Sequence, residues 1–519
     1  MKKISILWVD DEIDLLRPHI LFLQQKGYEL ETANNGYDAI EMVKKKEYDI
    51  FFIDENMPGL NGIETLKVIK EIQPLVPVIM ITKSEEENIM DDAIGSKIND
   101  YLIKPVNPNQ ILLSIKKNID HRRLIAQKTN SEYQMAFSKL GMEINDSLTH
   151  QDWINVYKKL VYWELELSQS AESAMDEVLQ MQKNEANSAF TKYIKKNYAS
   201  WFGSSSGNKP ILSPSLLKEK VFPQVSSGKK TFLLVIDNLR FDQWKVIQPE
   251  LNEFYKTETE DMYYSILPTS TQYARNSLFS GLMPSEIDRL YPELWKNDEE
   301  EGGKNLYEED MLKKLVRKYN ISDNLFFEKI NDIKNLRKVN ERVREIVDTS
   351  HFMVMIVNFV DYFSHAVTDQ KMIKELVGNE TAYRSITQSW FKHSPLLELL
   401  RSLSELGVNL VITTDHGTIK VQNAIKVIGE RNTTTNLRYK QGRNLNYNPK
   451  EVFEVLKPES IYLPRTNLSS SYIFATGNDF FAYHNNFNHF VKYYRDSFQH
   501  GGVSLEEMLI PVIHLSPRK

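Results

Sequence analysis

The sequence predicts an α/β protein in three parts: a doubly wound parallel sheet, an all-helical spacer, and a larger second α/β domain. Three observations lead there. Residues 1–120 alternate short apolar runs with amphipathic helical stretches, the pattern of a parallel sheet covered on both faces. Between His121 and Ala199 there is no proline, Gly141 is the only glycine, and apolar residues recur at helical spacing. From Thr231 to the end, strand and helix patterns alternate again. The expected boundaries are 1–120, 121–205 and 206–519. A chain of 519 residues has room for about three domains at roughly 150 residues each.

In the first part, strands are expected at Ile4–Val9, Glu29–Ala33, Ile50–Ile53, Val78–Ile81 and Asp100–Ile103. Helices are expected at Asp38–Lys46, Gly62–Ile72, Ile89–Ala93 and, opened by Pro108, Gln110–Asp120. In the second part, Trp153, Val156, Tyr157, Leu160 and Val161 mark one helix face, and Ala174, Val178, Leu179 and Met181 another. No heptad persists for several repeats, so a bundle is favoured over a coiled coil. Gly203–Ser206, followed by Gly207, Pro210 and Pro214, reads as a linker. In the third part the clearest strands are Thr231–Ile236, Met353–Val360 and Asn409–Thr413.

Composition excludes several classes. Lys+Arg number 64 against 70 Asp+Glu, a net charge of −6, so no global basic field grips nucleic acid. There is no cysteine, which removes disulfides, thiolate zinc sites, iron–sulfur clusters and cysteine nucleophiles. The longest apolar stretch, near Phe352–Val360, is interrupted by Asn358 and falls short of the roughly 20 residues of a membrane span. The run Ile4–Val9 is stopped by Asp10, Asp11 and Glu12, too short for a secretory leader. The expectation is a soluble cytoplasmic protein.

In a doubly wound sheet the strand C-termini converge on one edge. Here they deliver Asp10 and Asp11, Asp54, Thr82 and Lys104. Clustered carboxylates repel unless a hard cation such as Mg²⁺ sits among them. A carboxylate so held can accept a phosphoryl group. The motifs Val9–Glu12 (VDDE), Ile53–Gly59 (IDENMPG), Ile81–Lys83 (ITK) and Lys104-Pro105 resemble the receiver domain of two-component response regulators, a flavodoxin-like fold. The resemblance implies Asp54 as phosphoacceptor, Asp10 and Asp11 in the Mg²⁺ pocket, and a backbone carbonyl from Asn56. It also implies Thr82 and Tyr101 as switch residues and Lys104 as the phosphoryl contact.

After residue 230 five clusters stand out: Asp237, Asp361 with His365, and Asp415-His416-Gly417 just past strand ends, Pro268–Thr271 before a helical segment, and His500-Gly501-Gly502 near the end. Imidazoles and carboxylates suit two Zn²⁺ or Mn²⁺ ions. Such a pair stabilises an in-line displacement, and a metal-bound hydroxyl becomes nucleophilic. The ordered set resembles the alkaline phosphatase superfamily, and within it the PglZ type. Asp237–Arg240 (DNLR) is similar to the D-G-x-R of nucleotide pyrophosphatase/phosphodiesterases, with Asn238 in place of Gly. Pro268–Gly281 resembles their nucleophile segment in a register that makes Thr271 the nucleophile, with Thr269 and Ser270 as rival hydroxyls.

That resemblance implies one metal on Asp237, Thr271, Asp415 and His416, and another on Asp361, His365 and His500. Arg240 and Arg275 are the candidates for a non-bridging phosphate oxygen, with pairing to Asp242 or Asp237 as the other reading of Arg240. A basic segment, with Lys420, Lys426, Arg431, Arg438, Lys440 and Arg443, is read either as a polymer contact or as a solvated loop. His484 and His489 are read as surface or cleft residues.

Receiver, helical spacer and PglZ-type domain in this order resemble the PorX-type response regulators. The resemblance implies a sensor histidine kinase, control of type IX secretion, and a sigma factor and secretion-system components as partners; a phosphorylation-linked homodimer, formed through the receiver face near Tyr101, is a separate expectation. No helix-turn-helix pattern suggests direct promoter reading. Two function classes stay open: a phosphodiesterase acting on nucleotide or oligonucleotide diesters, and a receiver-controlled docking module with a structural metal site.

Overall fold

The structure is a computed structural model that describes residues 4–74, 76–83, 98–146, 148–168, 174–203, 209–321, 324–430 and 433–518. The expected helix Ile89–Ala93 and most of the expected linker Gly203–Ser206 lie outside them. The chain divides into two compact units, one reaching Gln134 and one starting at Met135.

The first unit holds five parallel strands in the order β2-β1-β3-β4-β5. They are β1 (Ser5–Val9), β2 (Glu29–Ala33), β3 (Ile50–Asp54), β4 (Val78–Thr82) and β5 (Asp100–Ile103). Successive strand residues point to opposite faces. Leu7, Val9, Phe51 and Ile53 therefore pack with Ala39, Val43, Leu66 and Ile69 of helices α2 (Gly36–Lys45) and α3 (Gly62–Ile72). Ile6, Trp8, Phe52 and Ile79 pack on the other side with Leu23 of α1 (Arg17–Gln25) and Ile111 of α4 (Pro108–Ile115). Asn61 and Glu64 form a capping box that starts α3. The α4 helix does not end at Asp120: a π-helical turn, Lys116–Asp120, carries it into α5 (His121–Asn145).

In the second unit α6 (His150–Ser168) and α7 (Ala174–Asn197) pack against the C-terminal α/β core. The Trp153 ring meets Phe190, Phe190 meets Tyr264, and Tyr157 meets Phe241. The expected α6 face is buried as read. On α7, Leu179 is buried as expected but Met181 is 64% exposed, and the buried stripe continues through Gln182, Lys183, Ala186, Asn187 and Phe190. Polar residues within that stripe hide it from an apolar-spacing reading.

The central sheet has six strands in the order β7-β11-β10-β6-β9-β8. They are β6 (Thr231–Ile236), β7 (Tyr255–Tyr264), β8 (Leu325–Ile330), β9 (Phe352–Val357), β10 (Asn409–Thr413) and β11 (Leu509–Pro517). The strands β10, β6, β9 and β8 are parallel, and β11 runs antiparallel to both its neighbours. All six residues of β6 are buried, as a strand covered on both faces requires. Among the described residues, no helix is long and apolar enough to cross a membrane.

Candidate functional sites

In the first unit, strand ends β1 and β3 bring Asp10, Asp11 and Asp54 together, with carboxylate oxygens within 4.8 Å of one another. Lys104 Nζ lies 2.9 Å from Asp10 Oδ2 and 3.0 Å from Asp54 Oδ2. Burial, with Asp10 and Asp11 nearby, pushes the Asp54 carboxyl up to about 6 against the pull of Lys104. Burial also opposes the Lys104 charge, but its bonds to Asp10 and Asp54 hold it above the usual range. Thr82 ends β4 and is buried. Tyr101 lies half-buried in β5 against the α2–α3 core, and the Asn56 side chain is exposed in the loop after β3. Sequence reading missed Gly62. A Cβ there would collide with the Asp54 carbonyl oxygen, so only glycine lets α3 begin against the candidate acceptor.

The three carboxylates, with Asp10 and Asp54 buried and Asp11 exposed, suit a hard cation. Protons and Mg²⁺ compete for the same Asp54 oxygens, and a raised carboxyl pKa strengthens the proton. Mg²⁺ affinity is therefore expected to fall as pH drops through about 6, by roughly tenfold per pH unit below it. Calorimetric titration with Mg²⁺ between pH 5 and 8 checks this, and a flat profile would reject Asp54 as a ligand.

In the second unit, two groups that contain both carboxylates and imidazoles form, beside an all-carboxylate group of Glu164, Asp242 and Glu380 that arginines engage. Asp237, Asp415 and His416 follow β6 and β10, and Asp361, His365 and His500 make the other group. Asp361 and His365 sit one turn apart on α11 (Phe359–Asp369), where i and i+4 share a face. Here α8 is Phe241–Leu251, α9 is Thr271–Ser280 and α10 is Glu308–Lys318. His416 and His500 stack with centroids 4.2 Å apart and join the groups. His416 Nε2 is 3.7 Å from both Asp237 Oδ1 and Asp415 Oδ2. Those two oxygens are buried and have no hydrogen-bond partner. Unpartnered buried acceptors beside an imidazole fit a borderline cation, so the residues present suit zinc or manganese. Burial raises Asp237 and Asp361 to about 6 and pushes His416 below the usual range.

Thr271 opens α9, and its Oγ1 lies 3.1 Å from His416 Nε2. The rival Thr269 is fully buried: its hydroxyl donates to the Gly502 carbonyl and accepts from Gly501 N–H. Ser270 occupies the N-cap position. Asn238 adopts φ +66°, the left-handed region that glycine favours and asparagine tolerates. Its Nδ2 donates to Asp361 Oδ1 at 3.4 Å and Ser364 Oγ at 3.2 Å. The substitution for glycine thus keeps the turn and adds a link between the two groups.

The two arginines expected on phosphate oxygens are placed otherwise. Arg275 is 2% exposed and donates to Asp237 Oδ2 and Glu308 Oε1, both at 2.6 Å. Arg240, equally buried, forks onto Asp242 and reaches Glu380. Both guanidiniums are buried and engaged by carboxylates. Glu308, on the first turn of α10, and Asn305, whose Nδ2 donates to the Thr271 carbonyl at 2.9 Å, were not singled out from sequence. Nothing in their local pattern distinguishes them. The basic segment is not a continuous patch. Arg438 is fully buried on Glu507, Lys440 is fully buried beside Tyr483, and Arg431 lies outside the described residues. His484 and His489 join neither ligand group.

A phosphoacceptor-type acidic pocket on a five-stranded parallel sheet, with a two-group metal-ligand centre on a second α/β core, defines a response regulator with an alkaline phosphatase-like output domain. Family models match for a response regulator receiver domain over residues 6–116, the PorX response regulator linker domain over 123–202, and the BREX system PglZ alkaline phosphatase-like domain over 216–515. The chain belongs to the PglZ alkaline phosphatase-like family, in the PorX-type arrangement of receiver, linker and PglZ domain. A receiver domain implies a phosphodonor such as a histidine kinase.

Among curated relatives, the chain is 33% identical over 140 residues to the transcriptional regulatory protein ZraR of Klebsiella oxytoca, covering 27% of this chain and 32% of that protein. It is 30% identical over 142 residues to ResD of Bacillus subtilis, covering 27% and 59%. The chain thus spans about a third of the length of ZraR. Among solved structures, Vibrio cholerae CheY4 is 28% identical over 22% of this chain and 99% of its own, with a TM-score of 0.22.

Proposed function

We propose that the chain is a response regulator, phosphorylated on Asp54, that controls a metal-dependent phosphodiesterase and thereby type IX secretion. The observation that carries the hydrolase reading is Thr271 Oγ1 at 3.1 Å from His416 Nε2, beside the unpartnered oxygens of Asp237 and Asp415. Two zinc or manganese ions held by Asp237, Thr271, Asp415 and His416 and by Asp361, His365 and His500 would stabilise the charge on the attacking and leaving oxygens and acidify the Thr271 hydroxyl.

Thr271 Oγ1 attacks phosphorus as the bond to the leaving alcohol breaks, the hydroxyl proton leaves with that alcohol, and the phosphoryl group stays on Thr271 with its second ester group intact. Water then releases the monoester and restores the hydroxyl. As the first helical residue of α9, Thr271 holds the phosphoryl group where the helix carries partial positive charge. Asn305 fixes the Thr271 backbone from behind. Nucleotide or oligonucleotide diesters are the proposed substrates. In the receiver, Asp10, Asp11 and Asp54 with the Asn56 carbonyl would hold Mg²⁺ to neutralise the transferred charge, and Lys104 contacts the phosphoryl group as Thr82 and Tyr101 report it.

The test is elemental analysis joined to hydrolysis of a chromogenic phosphodiester. About two metals in the C-terminal domain with turnover supports the reading. Bound metal without turnover, on this and an oligonucleotide panel, rejects it. Phosphorylation is further expected to produce a homodimer. Light scattering with and without beryllofluoride measures this, and an unchanged monomer removes the dimer.

A further inference from the structure

We propose that the helical spacer is a working part of the metal centre, with Glu164 of α6 as a positioning residue that acts through Arg384 and Arg240. The inference rests on the metal-site reading above. Glu164 accepts from Arg384 Nη1 at 2.6 Å and from Lys183 Nζ of α7 at 2.8 Å. Arg384 Nη1 also reaches Asp242 Oδ2 at 3.2 Å, and Asp242 holds both Nε and Nη2 of Arg240 at 2.9 and 2.6 Å. Arg240 is three residues beyond Asp237 in the same turn. Its guanidinium lies 5.6 Å from the ring centre of Phe498, two residues before His500. One side chain therefore touches the loops that carry ligands of both groups. A chain of charge-assisted hydrogen bonds connects it to the spacer.

The cluster is more than adhesive. Aromatic contacts such as Tyr157 on Phe241 already join the spacer to the domain. A buried ion cluster adds little net stability over apolar packing, because each charge must be desolvated. Its particular property is geometric: forked guanidinium–carboxylate pairs hold one orientation. Burial opposes ionisation of Glu164 and Asp242, yet the surrounding cations hold both carboxyls below the usual range. A cavity of about 250 Å³ borders Glu164, Lys183 and Arg384, which leaves these groups room to exchange partners when α6 or α7 shifts.

The test uses the full chain and reads metal affinity by competition with a chromogenic chelator, alongside kcat and KM. Glu164→Gln is expected to fold, to bind metal roughly tenfold more weakly, and to lose kcat with little change in KM. Lys159→Ala, which removes the exposed 2.6 Å pair with Glu143 from the same helix, should match wild type in metal affinity. Should Glu164→Gln not fold, Arg384→Lys keeps the charge, loses the fork, and is expected to show the same weakened affinity.

If the folded variant binds metal and turns over like wild type while unfolding at lower temperature, the cluster is only an adhesive and the proposal falls. A wild-type chain that loads metal but hydrolyses nothing sinks the phosphodiesterase alone, since the affinity readout still stands. A wild-type chain that binds no metal in this domain overturns both.

Discussion

Replacing Thr271 with valine is expected to abolish phosphodiester hydrolysis while the metal groups still load. Valine matches threonine in shape but has no oxygen, so the nucleophile disappears without a packing change. The loss in kcat should be roughly 10³-fold or more, as when other covalent nucleophiles are removed. Asp237, Asp415 and His416 keep their positions because β6 and β10 hold them, not Thr271. Losing one weak oxygen ligand should lower metal affinity modestly. Thr269→Val serves as the comparison. Its hydroxyl is bonded to Gly501 and Gly502, so its removal should destabilise the His500 loop rather than remove the chemistry. Single-turnover kinetics with elemental analysis separates the two. Residual wild-type turnover in Thr271→Val would reject this residue as nucleophile.

Gly417→Ala is expected to be the most damaging small change in the second unit. A Cβ at Gly417 would run into the Glu506 carbonyl oxygen, a backbone atom that cannot rotate away, and would press on Arg240 Cγ at 3.4 Å. Either the Leu505–Met508 turn moves or His416, the preceding residue, is displaced. Overpacking of this kind costs about 1–3 kcal/mol. Displacing His416 adds loss of metal from the Asp237 group. Gly378→Ala is the control. Nothing lies closer to its Cβ than the Glu375 carbonyl at 3.8 Å, so it should stay within about 0.5 kcal/mol of wild type. Thermal unfolding and metal stoichiometry measure both variants. A Gly417→Ala chain with wild-type midpoint and full metal would show that the loop has slack that the geometry denies.

The receiver sheet was legible because its signal is local. Apolar runs a strand long end directly in Asp10, Asp54, Thr82 and Lys104, and a parallel sheet sends those ends to one edge. The strands Glu29–Ala33 and Asp100–Ile103 fall where they were expected. In the second unit the ligand-bearing loops were legible for the same reason. Asp361 and His365 follow β9 on one helix face, and Asp415 and His416 follow β10.

Apart from the Arg240–Asp242 pair, which was one of the readings open from sequence, burial and pairing were not legible. Arg240 and Arg275 read as phosphate contacts because a guanidinium beside a metal site suits an anion. Asp242, Glu380 and Glu308 engage them instead, and those partners come from the next helix or from segments far along the chain. The buried stripe of α7 beyond Leu179 escaped notice because Gln182, Lys183 and Asn187 lie in it. Lys183 is buried only because Glu164 and Glu506 receive it.

The order of residues alone was sufficient for the three-part α/β architecture, the acidic pocket and the two sets of metal-type ligands. The architecture and the acidic pocket depend on periodicity and on which residue ends a strand, and the sorting of the metal-type ligands into two sets on the family resemblance. Three further results needed the folded chain. It distinguishes Thr271 from Thr269, turns two arginines inward, and brings Glu164 into hydrogen-bonded connection with Asp242 and Arg240. Each depends on which distant segment faces a given side chain, and pairing across tens or hundreds of residues leaves no trace in local spacing.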